Sequence, residues 1–257
     1  MKNAIRGFLS RPSTQPALLQ LLKLCHAGLN YGGGQSVGDS GEIGALKFLH
    51  STLGRSHPVT LFDVGANDGT YLQSALRVFG DRLRAYSFEP QSASFERLSA
   101  QFANDPRVQL RRAAVGKAAG TADLFFDGNE HETTASLHRN SLLGQGRKET
   151  VRLTTIDQVC DEDGIRHIDF LKIDTEGHEM EVLLGASGMM GRGISSIQFE
   201  FGDTFLHTTY HFFDLWELLS PGYRIYRILR HGLVEVPRYS PDLEIYKVAN
   251  FLCMRKT

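Results

Sequence analysis

The chain has 257 residues, a length that fits one α/β domain with additional segments better than two full domains. Its 28 Lys and Arg residues nearly balance its 29 Asp and Glu residues, which rules out a protein that binds nucleic acid through a basic excess. The three cysteines are far apart and form no CxxC pair, so we expect no disulfide framework and a reducing, cytoplasmic location. No apolar run approaches the roughly 20 residues needed to cross a bilayer.

Residues 1–58 are predicted to form an N-terminal helical and glycine-rich segment, and residues 59–257 the main domain. Residues 17–24 are apolar and follow a basic stretch, but two prolines lie between them and no small-residue cleavage site follows. We therefore expect a short helix starting near Pro16 instead of a signal peptide. The basic, apolar start leaves peripheral contact with a membrane surface open. The glycine-rich residues 28–44 are expected to form a loop or the base of a lid.

Short apolar runs alternate with helical patterns along the main domain. Strands are predicted at 59–62, 85–88, 108–115, 168–173 and 197–201, and helices at 71–79, 95–102, 179–184 and 212–219. This alternation predicts a doubly wound, mostly parallel sheet with helices on both faces. The closing strands, 223–229 and 248–254, are joined by a turn-rich connection without a helix and predict an antiparallel edge. A polar insertion at 127–148 lies between two strand-like pieces, 124–126 and 151–153, and such insertions are usually functional or disordered.

The most informative segment reads LFDVGANDGTY at 61–71: a strand, a glycine loop and the start of a helix. In an open parallel sheet, ligands bind at the carboxyl ends of the strands, so this loop is where a nucleotide-like cofactor would bind. Gly65 and Gly69 are expected to let the backbone approach the ligand, and the GxGxxG of dinucleotide sites is absent. Asp63 suits a ligand with a positive charge and no pyrophosphate, such as S-adenosylmethionine.

A second acid, Glu89, ends the next predicted strand about twenty residues beyond the glycine loop. An acid at this position can accept hydrogen bonds from both hydroxyls of an adenosine ribose. Pro90 then turns the chain over the sheet edge. In the alternative interpretation, Asp63 and Glu89 are only a strand-end cap and a surface acid, but the combination of both acids with both loop glycines favours a cofactor site.

Four segments resemble the FkbM-type methyltransferases: DVGANDG at 63–69, SFEP at 87–90, AAVG at 113–116 and LKIDTEGHE at 171–179. The resemblance extends over about residues 59–201, and the KIDxEGHE string is its most specific part. It implies a Rossmann-like class I methyltransferase fold, with a seven-stranded sheet that has one antiparallel strand. It also implies transfer of a methyl group from S-adenosylmethionine to a hydroxyl of a sugar, glycolipid, polysaccharide or related natural product.

The motifs and their spacing together give the residues expected to bind the cofactor. These are Asp63, Gly65, Ala66, Asn67, Gly69, Tyr71, Glu89, Pro90, Ala114 and Asp174.

The segment 174–179 follows the fourth main strand and is expected to carry the chemistry. Methyl transfer to a hydroxyl requires alignment of the two reactants and removal of a proton. Asp174 is expected to face the cofactor or the acceptor, and Glu176 and His178 are the other candidate bases. His178 has the more convenient unperturbed pKa, near neutrality. In the alternative interpretation, His178 and Glu179 start the following helix.

Two neighbouring charged residues are given structural roles. Lys172, inside the strand, is expected to pair with an acid instead of touching the ligand. Glu200 is an acid in an apolar strand, where buried acids are uncommon unless paired or functional. It offers a divalent-metal ligand together with Asp174, Glu176 and His178. The spacing is not diagnostic, so we favour a hydrogen-bonded structural acid and assign no metal site.

Other segments are suggested around the site. Ser40–Glu42 is suggested to fold over the cofactor as a lid, and the insertion to line the opposite side through Thr133, Thr134 and Ser136. His207 and His211 have the spacing of a helical zinc pair, but no third ligand accompanies them. Tyr210 is a candidate for stacking on a sugar, whereas the core interpretation is preferred for Trp216.

Two other functions stay open at this stage. The first is a Rossmann-like binding module that has lost catalysis, and the intact acids and glycines of the motifs count against it. The second is a nicotinamide-dependent oxidoreductase on a similar sheet, and the missing GxGxxG disfavours it.

Overall fold

The described residues fold into helices and strands in the alternating order that the sequence predicts. The computed structural model describes residues 2–32, 37–54, 57–126, 135–138 and 146–256. The helices are α1 (Lys2–Leu9), α2 (Gln15–Gly28), α3 (Glu42–Thr52), α4 (Thr70–Phe79), α5 (Ser92–Phe102), α6 (Ile156–Glu162), α7 (Glu179–Leu184), α8 (Ser187–Arg192) and α9 (Phe212–Leu219). The strands are β1 (Val59–Val64), β2 (Leu83–Phe88), β3 (Val108–Arg111), β4 (Ala114–Val115), β5 (Gly120–Phe126), β6 (Ala135–Ser136), β7 (Arg147–Thr154), β8 (Ile168–Ile173), β9 (Ile194–Phe201), β10 (Tyr223–Leu229), β11 (Gly232–Val236) and β12 (Ala249–Arg255).

The main sheet has eight strands in the order β11-β10-β12-β9-β8-β1-β2-β3. The strands from β9 to β3 are parallel to one another, and β12 runs antiparallel between β9 and β10. The predicted α/β fold with one antiparallel strand is therefore confirmed for the seven strands from β10 to β3. The eighth strand, β11, was predicted as part of a turn-rich connection. Its side chains are half-buried or exposed, so it lacks the apolar alternation of a buried strand.

The predicted strand 108–115 is two strands that belong to different sheets. Residues 108–111 pair with β2, whereas Ala114 and Val115 pair with β7 in a second sheet of order β4-β7-β5-β6. Arg111 and Arg112 lie at the break, but polar residues also occur within half-buried strands, so hydrophobic pattern alone does not reveal that the chain changes sheets. The strand-like pieces predicted at 124–126 and 151–153 are parts of β5 and β7, but their pairing in a second sheet was not predicted. This sheet forms one wall of the cleft described below.

The two central strands are buried on both faces, as expected where helices cover a parallel sheet on each side. On β1, Phe62 packs into one apolar core and Leu61 into the other. On β8, Leu171 packs into the same core as Phe62 and Phe170 into the same core as Leu61, and every residue of that strand is buried. Both strands are thus fixed along their length, and their carboxyl ends hold the segments that follow in defined positions.

The N-terminal helices differ in how they pack. The helix predicted near Pro16 is confirmed as α2, in which none of the described residues is buried. By contrast, α3 packs Ala45, Leu46 and Leu49 into the core beside α4. No helix in the described part of the chain has both the length and the apolar character needed to cross a membrane.

Candidate active site

The carboxyl ends of β1, β2 and β8 open into a cleft of about 190 Å³. The second sheet closes one side of it with apolar residues from β4, β5 and the segment after β6, including Val115, Leu124 and Leu137. Most of the predicted site residues line this cleft, namely Gly65, Asn67, Glu89, Pro90, Ala114, Asp174, Glu176 and His178. Asp63, Ala66, Gly69 and Tyr71 are not among its lining residues.

Glu89 is the buried acid of the cleft. Its Oε2 accepts the backbone N–H of Asn67 and its Oε1 accepts that of Gln91, each at 2.8 Å. Burial raises the pKa of this carboxyl to about 7, although the two N–H bonds oppose the shift. Each carboxylate oxygen keeps a second lone pair, so Glu89 can accept two more hydrogen bonds from a ligand with paired hydroxyls.

The two loop glycines are required by packing of the protein against itself. Gly65 has φ +80°, and a Cβ there would lie 1.8 Å from the carbonyl oxygen of Asp174. Gly69 has φ +86°, and a Cβ there would lie 2.4 Å from the ring of Phe102. Gly65 lets the ends of β1 and β8 approach and also lines the cleft, so its close approach to the ligand stays a prediction. Gly69 lets the loop pack on α5 and does not line the cleft.

Lys172 joins two acids beneath the cleft. Its Nζ lies 3.4 Å from Asp63 Oδ1 and 3.4 Å from Asp174 Oδ2. Burial opposes the charge on Lys172, but the adjacent carboxylates raise its pKa above the usual range. The predicted pairing of Lys172 with an acid is thus confirmed. The expectation that Asp63 faces a cationic ligand is corrected, because Asp63 is fully buried and its neighbouring cation is Lys172.

A buried polar network extends from Lys172 to α3. The ammonium lies 5.0 Å from the ring centre of Tyr71, whose hydroxyl donates to Gln198 at 3.2 Å. Gln198 in turn donates to Glu42 at 2.7 Å, and Ser40 donates to the other oxygen of Glu42 at 2.7 Å. Ser40 and Glu42 are therefore buried in this network and do not line the cleft. The suggestion that they fold over the cofactor as a lid is wrong, and they belong to the buried network beneath the cleft.

Glu179 shapes the loop that carries Asp174 and Glu176. Its Oε1 accepts from the backbone N–H and the hydroxyl of Thr175, at 2.8 and 3.1 Å, and from the N–H of Gly177 at 3.4 Å. The loop turns through positive φ at Glu176 (54°) and Gly177 (99°). Helix α7 begins directly afterwards, so the interpretation of His178 and Glu179 as a helix start is confirmed.

The candidate bases have different environments. The Asp174 side chain is 38% exposed and pairs with Lys172. Burial and the neighbouring Asp174, Glu179 and Asp203 raise the pKa of Glu176 to about 8, so this carboxyl is mostly protonated at pH 7.

His178 has a pKa lowered to about 4, because of burial and the nearby His138 and Lys117. The expected pKa near neutrality is therefore wrong, and His178 is neutral at pH 7. Its Nδ1 lies 3.2 Å from His138 Nε2. Sequence reasoning missed His138, since this residue lies forty positions away in the insertion and no motif marks it.

The remaining suggestions have mixed outcomes. The Ser136 hydroxyl donates to the carbonyl of Glu176 at 2.8 Å, so the insertion does reach the site, while Thr133 and Thr134 lie outside the described residues.

Burial and nearby acids raise the pKa of Glu200 well above its usual range, and Glu200 does not line the cleft. His207 and His211 do not share a helix, since His207 ends a short 3₁₀ turn and His211 precedes α9. Tyr210 and Trp216 both pack against the core.

An open, mostly parallel sheet with helices on both faces and a buried acid at the carboxyl end of β2 defines a Rossmann-like domain of the class I methyltransferase type. Residues 63–225 match the family described as the methyltransferase FkbM domain. The chain belongs to this family.

The chain is similar to hexuronic acid methyltransferase AglP of Haloferax volcanii, at 26% identity over 141 residues, which are 54% of this chain and 53% of AglP. It therefore spans about half the length of this curated relative. Among solved structures it is similar to the FkbM methyltransferase of Methylobacillus flagellatus KT, with 16% identity, a TM-score of 0.48, and coverage of 76% of this chain and 43% of the other. A putative rRNA methylase of Clostridium thermocellum gives 10% identity, a TM-score of 0.44, and coverage of 81% and 93%.

Proposed function

We propose that this protein transfers a methyl group from S-adenosylmethionine to a hydroxyl of a sugar-containing acceptor. The observation that carries the proposal is the environment of Glu89. Each of its carboxylate oxygens accepts one backbone N–H and keeps a lone pair for one of two adjacent ribose hydroxyls. Apolar residues beside it, such as Phe88 and Leu124, suit the flat face of an adenine.

The acidic end of the cleft supports a cationic cofactor rather than a dinucleotide. Asp174 lines it beside Glu176, whose mostly protonated carboxyl can hydrogen-bond a ligand, and the loop after β1 carries no pyrophosphate-binding GxGxxG. When bound, the cofactor supplies a methyl group on a positively charged sulfur. The residues of the chain would hold it, exclude water and align the acceptor.

Asp174 is the best candidate for orienting the acceptor and taking its proton. It reaches the cleft and is held from below by Lys172. Glu176 is a weaker candidate because its pKa of about 8 leaves it mostly protonated at pH 7. His178, with a pKa of about 4, is no stronger a base than an ordinary carboxylate, so the preference for Asp174 rests on its exposure to the cleft and its contact with Lys172. The name of the relative AglP specifies a hexuronic acid, and a sugar hydroxyl is accordingly the acceptor we propose.

Calorimetry with S-adenosylhomocysteine and with NAD tests this proposal. We expect binding of the first only, and Glu89→Ala should weaken it at least tenfold, because two charge-assisted hydrogen bonds of about 1.5–3 kcal/mol each are lost. Asp169→Asn is the matched control: Asp169 is also a buried acid that accepts a backbone N–H, at the opposite end of β8. Binding of NAD without binding of S-adenosylhomocysteine would refute the proposed cofactor, and unchanged affinity in Glu89→Ala would remove Glu89 from the site.

We further propose that the protein reaches its acceptor at an anionic membrane surface, which α1 and α2 contact. Residues 1–38 contain no Asp or Glu but four Lys or Arg residues. Large apolar side chains are exposed on both helices, among them Phe8 at 56% and Leu24 at 71%. Basic charge combined with exposed apolar side chains is the composition of helices that lie in a lipid interface.

Co-sedimentation with vesicles tests this contact. The full chain should bind vesicles that contain anionic lipid and should not bind purely zwitterionic ones at the same salt concentration. Phe8→Ser with Leu24→Ser should abolish binding, while Val234→Ser, an exposed apolar residue on β11, should leave it unchanged. If the helices instead join two copies of the chain, vesicle binding will be absent, and sedimentation will show a dimer for the wild type and a monomer for the double variant.

A further inference from the structure

Three side chains with metal-ligating groups meet beside the cleft. His138 comes from the end of segment 135–138, and His178 and Glu181 come from the start of α7. His178 Nδ1 lies 3.2 Å from His138 Nε2 and 3.6 Å from Glu181 Oε2. The three ligating atoms all lie within 4.8 Å of one another, and no other group of this kind is found in the described part of the chain.

Hydrogen bonding within the protein does not satisfy this cluster. Two neutral imidazoles that face each other through one nitrogen each can share a single proton. Glu181 is only 9% exposed, and its Oε2 has no hydrogen-bond partner among the described residues. A buried carboxylate oxygen without a donor is costly, so the arrangement calls for a positive centre between the three groups.

Two of the three spacings between the ligating atoms are those of a tetrahedral metal ion. Zinc binds imidazole nitrogen at about 2.0–2.1 Å and carboxylate oxygen at about 2.0–2.2 Å, so adjacent ligands of a tetrahedral ion lie about 3.3–3.5 Å apart. The two distances from His178 Nδ1, 3.2 and 3.6 Å, are close to this value. Two histidines with one carboxylate are the ligand set of an open zinc site, in which water or a substrate oxygen takes the fourth position.

We propose that His138, His178 and Glu181 bind a zinc-type divalent ion at the edge of the cleft. The ion would fasten segment 135–138 to the loop after β8, alongside the hydrogen bond from Ser136 to the Glu176 carbonyl. Because His178 lines the cleft, the open position lies next to the space proposed for the acceptor. This site is independent of the cofactor, so metal binding and S-adenosylhomocysteine binding can succeed or fail separately.

Metal titration of the full chain tests the proposal. After dialysis against EDTA, the wild type should bind one equivalent of Zn²⁺, and Co²⁺ in its place should give the strong visible absorption of a tetrahedral site. His138→Gln and Glu181→Gln should each weaken Zn²⁺ binding more than about 100-fold, beyond the loss typical of outer-shell changes. His167→Gln is the matched control, because His167 also faces a carboxylate, that of Asp169, at the opposite end of the sheet.

Three results would overturn the proposal. One is the absence of stoichiometric Zn²⁺ binding in the wild type, which would leave the two histidines as a hydrogen-bonded pair. Another is wild-type affinity in both His138→Gln and Glu181→Gln, which would place any bound metal elsewhere. The third is equal weakening in His167→Gln. Thermal melting in EDTA and S-adenosylhomocysteine binding, measured on the same samples, would show that each variant is folded.

Discussion

Replacing Lys172 with Met should destabilise the protein by about 3–5 kcal/mol, the cost typical of breaking a buried ion pair from one side. At 3.4 Å and an effective dielectric constant of about 20, the attraction to each of its two carboxylates is about 5 kcal/mol. Burial of the ammonium offsets much of this, and the contact with the 38% exposed Asp174 is further screened by water. The net loss therefore comes mainly from leaving Asp63 charged and fully buried.

Urea unfolding at two pH values measures this loss. Without Lys172, the pKa of Asp63 in the folded state rises further above its unfolded value, so the folded state binds the proton more tightly. The destabilisation should therefore be smaller at pH 5 than at pH 8, and adding Asp63→Asn should restore part of the stability. Lys148→Met, which breaks an exposed pair with Asp123, should leave the urea midpoint unchanged. A loss below about 1 kcal/mol, or one independent of pH, would refute this account of the buried pair.

The remaining predictions concern the cleft. Affinity for S-adenosylhomocysteine should rise with pH through about 7 as Glu89 ionises, and binding near pH 6 should release a proton. Glu89→Gln should flatten this pH profile; calorimetry in buffers of different ionisation enthalpy measures the affinity and the proton release. Asp174→Asn should lower turnover about 100-fold with a smaller effect on cofactor affinity, measured as S-adenosylhomocysteine release over a panel of sugars; equal loss of both would place Asp174 in cofactor binding alone. Gly65→Ala should lower the melting temperature even without ligand, since its Cβ would lie 1.8 Å from the Asp174 carbonyl oxygen, whereas Gly80→Ala, at a glycine with free space around it, should lower it far less.

Most of the fold could be predicted from the sequence because local patterns determine it. The bounds of β8, α7, α9 and β10 follow from short apolar runs that end at glycine, proline or a charged residue. The edge strand β11 and the second sheet could not be predicted in this way. β11 pairs with the adjacent β10 across a tight turn, but its side chains are half-buried or exposed and show no apolar alternation. The strands of the second sheet pair between distant segments, such as residues 120–126 with 147–154, and this pairing leaves little mark on hydrophobic periodicity.

The candidate site was predictable where a strand end places a residue at the sheet edge, as for Glu89 and Asp174. Prediction was poorer where contacts across the chain decide a role. Gln198 and Glu42 are 156 positions apart, yet they meet in one hydrogen bond. The low pKa of His178 depends on burial and on His138, which no local spacing could indicate.

The start of α7 links the two halves of the site. Glu179 folds the preceding loop, so Asp174 and Glu176 face the cleft while the loop passes through positive φ at two successive residues. On either side of Glu179, His178 and Glu181 place their ligating atoms near His138 of the insertion. Because both sets are attached to the same few residues after β8, a displacement of the insertion would be transmitted to the carboxylates of the cleft. The KIDTEGHEME segment thus has a physical reason to be specific: it carries Asp174 and Glu176 of the cleft together with two of the three residues of the cluster, His178 and Glu181.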